Sequence, residues 1–275
     1  MAVAVRSVSS ASGNTSTVTV TKPSGTADGD YLVATAGTRN GTCSAPAGWT
    51  SVGDVTYDSN HSTIFYRIAS SEGASYIFTN NGGASGIAVG ITAITGAATG
   101  TAPTYAGQAN ASSSTATAPT ITPAANSLIM LVCSGNSSSI SFSAPAIATS
   151  DPGLTEQYES HAPNNGGDGV ATVLATGVRA QATATGSGTM TMSGAQTSAG
   201  QLVSIAPPLA YTMAAAVGAF TLTGVAAALS RIYKIVCDAG SFTLTGVSAT
   251  LKWFSWIART RPTSTWTDVN RSDQA

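Results

Sequence analysis

Charged side chains make up only 8% of this 275-residue chain, against about 25% in typical soluble proteins. The shortage is uneven. No Asp, Glu, Lys or Arg stands between Glu72 and Asp151, or between Arg179 and Arg231. Solvent-facing positions must therefore be filled by Ser, Thr, Asn and Gly. Such a surface offers little to nucleic acid, whose binding rests on Lys and Arg contacts to phosphate, and a net charge of −1 leaves long-range steering weak. The three cysteines, Cys43, Cys133 and Cys237, are far apart and odd in number. That argues against a disulfide framework, and each is expected reduced in a strand as a small hydrophobe. The two histidines, His61 and His161, have no second ligand at the short spacing of a metal motif and are expected in solvated loops. Met1–Arg6 is too short for a secretory leader, so the sequence leads us to expect synthesis in a cytoplasm.

Short strands punctuated by Gly, Pro, Asn and Asp run from about residue 5 to 206. The clearest are Thr17–Thr21, Asp30–Ala34, Ser62–Arg67, Ser75–Thr79, Ile87–Ile94, Ser127–Val132, Ser139–Phe142, Ala171–Leu174, Gly188–Met192 and Gln201–Ile205. With almost no helical periodicity, this pattern predicts an all-β fold and, at residues 1–206, a β-sandwich. The order of signals recurs. Gly29-Asp-Tyr31 answers to Asn126-Ser-Leu128, Gly48-Trp49-Thr50 to Gly153-Leu154-Thr155, and Ile91–Ile94 to Leu202–Ile205, with offsets of 97 (126 − 29), 105 (154 − 49) and 111 (202 − 91). Two similar layers of one sandwich, with longer loops in the second, would explain this; closure entropy rises only slowly with loop length.

Pro207-Pro208 cannot extend a sheet ladder, and residues 207–209 are read as a hinge. Beyond it, within 210–260, Gly218-Ala-Phe-Thr-Leu-Thr-Gly224 returns as Gly240-Ser-Phe-Thr-Leu-Thr-Gly246, 22 residues later (240 − 218). Phe220/Leu222 and Phe242/Leu244 alternate with threonines, the period of a strand with one apolar face. Two such units cannot cover their own apolar faces, so neighbours are expected from other copies of the chain. Trp253, Phe254 and Trp256 cannot all face one side of a strand and point the same way. Residues 210–229 carry no charge and are long enough for a membrane helix, but Gly218, Gly224 and the threonines, with Lys252 and Arg259 following the sister copy, speak against a span. From 261 to 275 the chain is polar and is expected to be an extended tail.

Few residues bear recognisable chemistry. Glu156 and Glu159 are the closest glutamate pair, but a hydrolase needs carboxylates facing across a bond, and in an extended strand residues three apart alternate faces. Asp28 and Asp30 have the oxygens of a Ca²⁺ site, yet are expected to shape a turn. Trp49 is read as a plug at the end of the sandwich, with a sugar-stacking platform as the alternative. No catalytic residue, metal or cofactor is expected.

Val18-Thr-Val20-Thr-Lys-Pro23-Ser-Gly25, Asp28-Gly29-Asp30-Tyr-Leu32, Ala45-Pro46-Ala47-Gly48-Trp49-Thr50 and Phe65-Tyr66-Arg67-Ile-Ala69, in that order, resemble a jelly-roll-like β-sandwich module of tailed-bacteriophage virion proteins and some bacterial surface proteins. The Gly-Ser-Phe-Thr-Leu-Thr-Gly repeat and the Thr265-Trp266-Thr-Asp-Val269 tail are similar to the ends of phage structural proteins. The resemblance implies a non-enzymatic role on the virion surface, as a capsid decoration, head fibre or tail component. It also implies self-association, as a homotrimer, and attachment to other virion proteins through Phe220, Leu222, Phe242, Leu244, Trp253, Trp256 and Trp266. Two rival readings remain: an adhesin for a host receptor or surface glycan, using loops around Trp49, His161 and Asn164, and a polysaccharide depolymerase.

Overall fold

The computed structural model describes residues 2–164 and 167–208, together with the backbone of residues 220–222 and 242–244. The chain divides into two units, Met1–Leu209 and Ala210–Ala275. The first is all-β, and no helix occurs among the described residues. Its first half contains β1 (Ala4–Gly13), β2 (Thr17–Thr21), β3 (Tyr31–Arg39), β4 (Cys43–Ser44), β5 (Thr50–Tyr57), β6 (Asn60–Ile68), β7 (Ser75–Asn80) and β8 (Ile87–Thr95). The second contains β9 (Thr104–Ala118), β10 (Ser127–Gly135), β11 (Phe142–Ile147), β12 (Thr155–Asn164), β13 (Gly167–Arg179) and β14 (Gly188–Ile205). Every pairing among them is antiparallel.

The two halves share one strand order. The first forms a large sheet, β1-β8-β3-β6-β5, and a small one, β2-β7-β4. The second forms β9-β14-β10-β13-β12. Here β9 and β14, 15 and 18 residues long, run on past the large sheet. Their far ends pair with each other and β14 pairs with β11, repeating the small sheet without a break. Register extends the match to single residues. Tyr31 lies opposite Ile94 and Ile68, as Leu128 lies opposite Ile205 and Val178. Thr50 faces Tyr66 as Thr155 faces Thr176, and the edge strand of each pair then bulges, at Val52 and at Gln157.

The halves are not, however, the two layers of one sandwich. Leu32, Phe65, Tyr76, Phe78 and Ile91 form a buried cluster wholly within the first half. Ile129, Leu131, Phe142, Met190 and Leu202 form another within the second. A third cluster draws on both, with Tyr31, Val33 and Ile64 beside Met130, Tyr158, Leu174 and Val203. Each half thus encloses its own core, and the remaining faces of the two large sheets pack on each other. That is why β3, β8 and β10 are buried along nearly their whole length and read as continuous apolar or small-residue runs; strands covered on both faces have no wet side to alternate with. The approach is close at Gly37, where an added Cβ would lie 3.0 Å from Val170.

Three local expectations change. The strand expected over Ser139–Phe142 starts only at Phe142. His61 and His161 sit on β6 and β12, not in loops, because their polar neighbours Asn60, Ser62 and Ser160 are buried strand positions. Glu156 and Glu159 lie opposite Ala175 and Val173, alternate residues of β13, so the Gln157 bulge brings them to the same face.

In the second unit β15 (Phe220–Leu222) pairs in parallel with β16 (Phe242–Leu244), Phe220 opposite Phe242 and Leu222 opposite Leu244. Trp253, Trp256 and Trp266, and the side chains of both repeats, lie outside the described residues, as does the tail.

Candidate functional site

Each half carries a carboxylate–imidazole pair; the carboxylates hold corresponding positions, whereas the imidazole stands on β6 in the first half and on β12 in the second. On β5, Asp54 accepts from His61 Nδ1 at 2.8 Å and from the Thr63 hydroxyl at 2.5 Å. The register counterpart of Asp54 is Glu159 on β12. Its Oε1 lies 3.1 Å from His161 Nε2 and accepts the Phe142 N–H, also at 3.1 Å. His161 Nδ1 lies 3.0 Å from the Ser138 carbonyl. Both ring nitrogens of His161 therefore lie against oxygen atoms. Burial pushes the Glu159 carboxyl up, and Glu156 adds to this, while His161 and the Phe142 N–H pull it down.

Neither pair forms a nucleophile–base–acid relay. Thr56 Oγ1 and Asp54 both approach the same nitrogen of His61, at 3.3 Å and 2.8 Å, whereas a relay needs its partners on opposite nitrogens. Among the described residues no group of three or more His, Cys, Asp and Glu side chains is placed to hold a metal ion.

The aspartates near the first turn are occupied. Asp30, buried, takes Arg6 Nε at 2.7 Å and Nη2 at 3.0 Å, and accepts the Ala27 N–H at 2.8 Å. Asp28 accepts the Ser71 N–H at 2.8 Å. Trp49 closes the first core, edge-on to Tyr76 and Phe78 with ring centroids 5.3 and 5.7 Å away. The Arg67 guanidinium lies over its ring at 5.9 Å and is held by Glu72 at 2.8 Å, which leaves that ring face covered. Asn164 ends β12, paired with Gly167 across the hairpin. Trp49 and Asn164 belong to different halves, and His161 is tied to Glu159. Cys43 and Cys133 are free and buried, and burial pushes each thiol up to about 12.

Between the large sheets runs a directional chain of hydrogen bonds that the sequence did not announce. The Tyr105 hydroxyl donates to Gln201 Oε1 at 2.9 Å, Gln201 Nε2 to Ser62 Oγ at 2.6 Å, Ser62 meets Ser134 at 2.9 Å, and Ser134 donates to Thr172 at 3.0 Å. Its members are spread over β9, β14, β6, β10 and β13, and no local motif could have revealed it.

At the outer end of the same interface a cleft of about 490 Å³ opens between β1 and β12–β13. Val5, Val8, Leu128, Gln157, Thr176 and Val178 line it. Arg6 is also there, but its charge is paired with Asp30. No protein family, curated protein or solved structure matched this chain in the comparisons.

Proposed function

We propose that the chain is a non-enzymatic structural protein of a tailed-phage virion, a capsid decoration, head fibre or tail component. Its first unit would be a displayed, jelly-roll-like β module, and its repeats would assemble with other copies, as a trimer, and with the particle. The observation that carries this reading is the in-register parallel pairing of Phe220–Leu222 with Phe242–Leu244. A ladder in which a repeat lies on its own copy, residue for residue, accepts further identical strands from neighbouring chains. The resemblance of the Val18–Gly25, Asp28–Leu32, Ala45–Thr50 and Phe65–Ala69 segments to phage modules supplies the particle, and the scarcity of charge suits a surface that stays inert until assembled.

Gold-labelled antibody to the first unit should decorate intact virions at one structural location. Phe242→Ser with Leu244→Ser should leave the first unit folded, yet abolish self-association and incorporation. Particles that lack the protein would overturn the reading. Release of reducing ends from host polysaccharide by the purified chain would replace it with the depolymerase, and saturable binding on a glycan array with the adhesin.

A further inference from the structure

The matched registers give the cleft an internal twin. Leu128 corresponds to Tyr31 and Thr176 to Tyr66, as the pairings above show. Val8, opposite Thr92, corresponds to Tyr105, opposite Val203. On the twin side those positions hold three aromatic rings. Tyr31 and Tyr66 stack at 5.2 Å with 11° between planes, the Tyr31 hydroxyl donates to the Thr101 carbonyl at 3.3 Å, and Tyr105 lies over Gly53. On the cleft side the same positions carry leucine, threonine and valine. Tyr158, the counterpart of Gly53, reaches inward to Thr35 and Gly90 and takes the room that corresponds to the Tyr105 ring, whereas nothing takes the place of the Tyr31 and Tyr66 rings beside Leu128 and Thr176. The cleft is therefore the room that the stacked Tyr31 and Tyr66 rings occupy in the other half.

We propose that this cleft receives a tyrosine side chain carried on an extended segment of a partner polypeptide. Its floor continues an established interface, since Leu128 belongs to the cluster joining the halves and Val5 and Val8 pack against it. The rim sets the chemistry. Arg6 is neutralised by Asp30, so no free charge selects an ion, while Thr155, Gln157 and Thr176 offer hydroxyl and amide groups to a phenol. β1 and β12 are each the last strand of a large sheet, and such edges present unpaired backbone groups that an extended segment can meet. The proposal does not depend on the virion reading.

The test is a nuclear magnetic resonance titration of the full chain with acetyl-Thr-Tyr-Thr-amide, with acetyl-Thr-Ala-Thr-amide and p-cresol as comparisons. The tyrosine peptide should produce saturable shifts centred on Val5, Val8, Leu128 and Val178, with millimolar affinity. The alanine peptide should bind at least about tenfold more weakly, the discrimination expected when a buried ring is removed, and Thr176→Tyr should abolish the shifts by filling the cleft from within. If Thr176→Tyr does not fold, Val178→Ala, at a position 47% exposed, should weaken the tyrosine peptide several-fold. Shifts centred elsewhere, no saturation, equal binding of the two peptides, or unchanged affinity in Val178→Ala would overturn the proposal. Binding of p-cresol as tight as that of the tyrosine peptide would overturn the extended segment in favour of a small-molecule site.

Discussion

A Cβ on Gly53 would sit inside the Tyr105 ring, and one on Gly90 inside the Tyr158 ring. In each case the absent side chain is what lets a tyrosine from the other half cross the interface. Gly90→Ala should therefore cost about 1–3 kcal/mol, the usual range for overpacking, read as a lower melting temperature. In a Tyr158→Ala background the same change should cost far less, and additive effects would show that the ring and the glycine do not meet. The cysteines make a second residue-scale prediction. With both thiols raised to about 12 by burial, Cys43 and Cys133 should react with a disulfide reagent much more slowly in the native protein than in denaturant, because the thiolate is the nucleophile. Equal rates in the two states would contradict the burial.

At the scale of the element, what was legible followed from position in the sheet. Strands with a clear signal, such as Thr17–Thr21 with its strict alternation and Ile87–Ile94 with its apolar run, lie inside a sheet or on a small one over a core. β1, β5, β9 and β12 gave no clear signal, and they are the four edges of the two large sheets. Their side chains are only partly covered, so neither alternation nor continuous apolarity marks them. The matching halves were readable because turn residues at Gly29, Gly48 and Gly153 punctuate the chain at recurring intervals. Their packing was not, since it depends on which face of each sheet is drier. Of the candidate site, single residues such as Asp30 in its turn were legible, but the cleft comes from what corresponding positions lack, and the pairing of Glu156 with Glu159 on one face comes from a bulge. Deleting Gln157 should remove that bulge and reverse the faces of the residues before it. We expect a large fall in melting temperature on deletion, while Gln157→Ser, which keeps the extra residue, should stay within about 0.5 kcal/mol of wild type. Equal effects would mean the bulge is incidental.

At the scale of the whole first unit, burial of phenols and thiols sets a limit at high pH. Burial raises the pKa of Tyr57, Tyr158 and Cys133 above their ordinary values. An unfolded tyrosine ionises near pH ~10 and a cysteine near ~8.5, so the native state retains protons that the unfolded state releases. Stability should be complete below those unfolded values and fall as pH rises through them, by up to about 1.4 kcal/mol per pH unit for each such group. Denaturant midpoints measured from neutral to strongly alkaline pH should show this decline, with tyrosinate absorbance appearing together with unfolding; a flat profile would refute it. The duplicated strand order has a separate consequence, in heredity. Gly53 and Tyr158 hold one structural position in the two halves, as do Val8 and Tyr105. In an association of two identical chains a single codon would have to serve both members of each pair, and glycine in one half could not coexist with tyrosine in the other. Carrying both halves on one gene removes that constraint, so a mutation can close one side of the molecule with aromatic rings while its mirror position is left open.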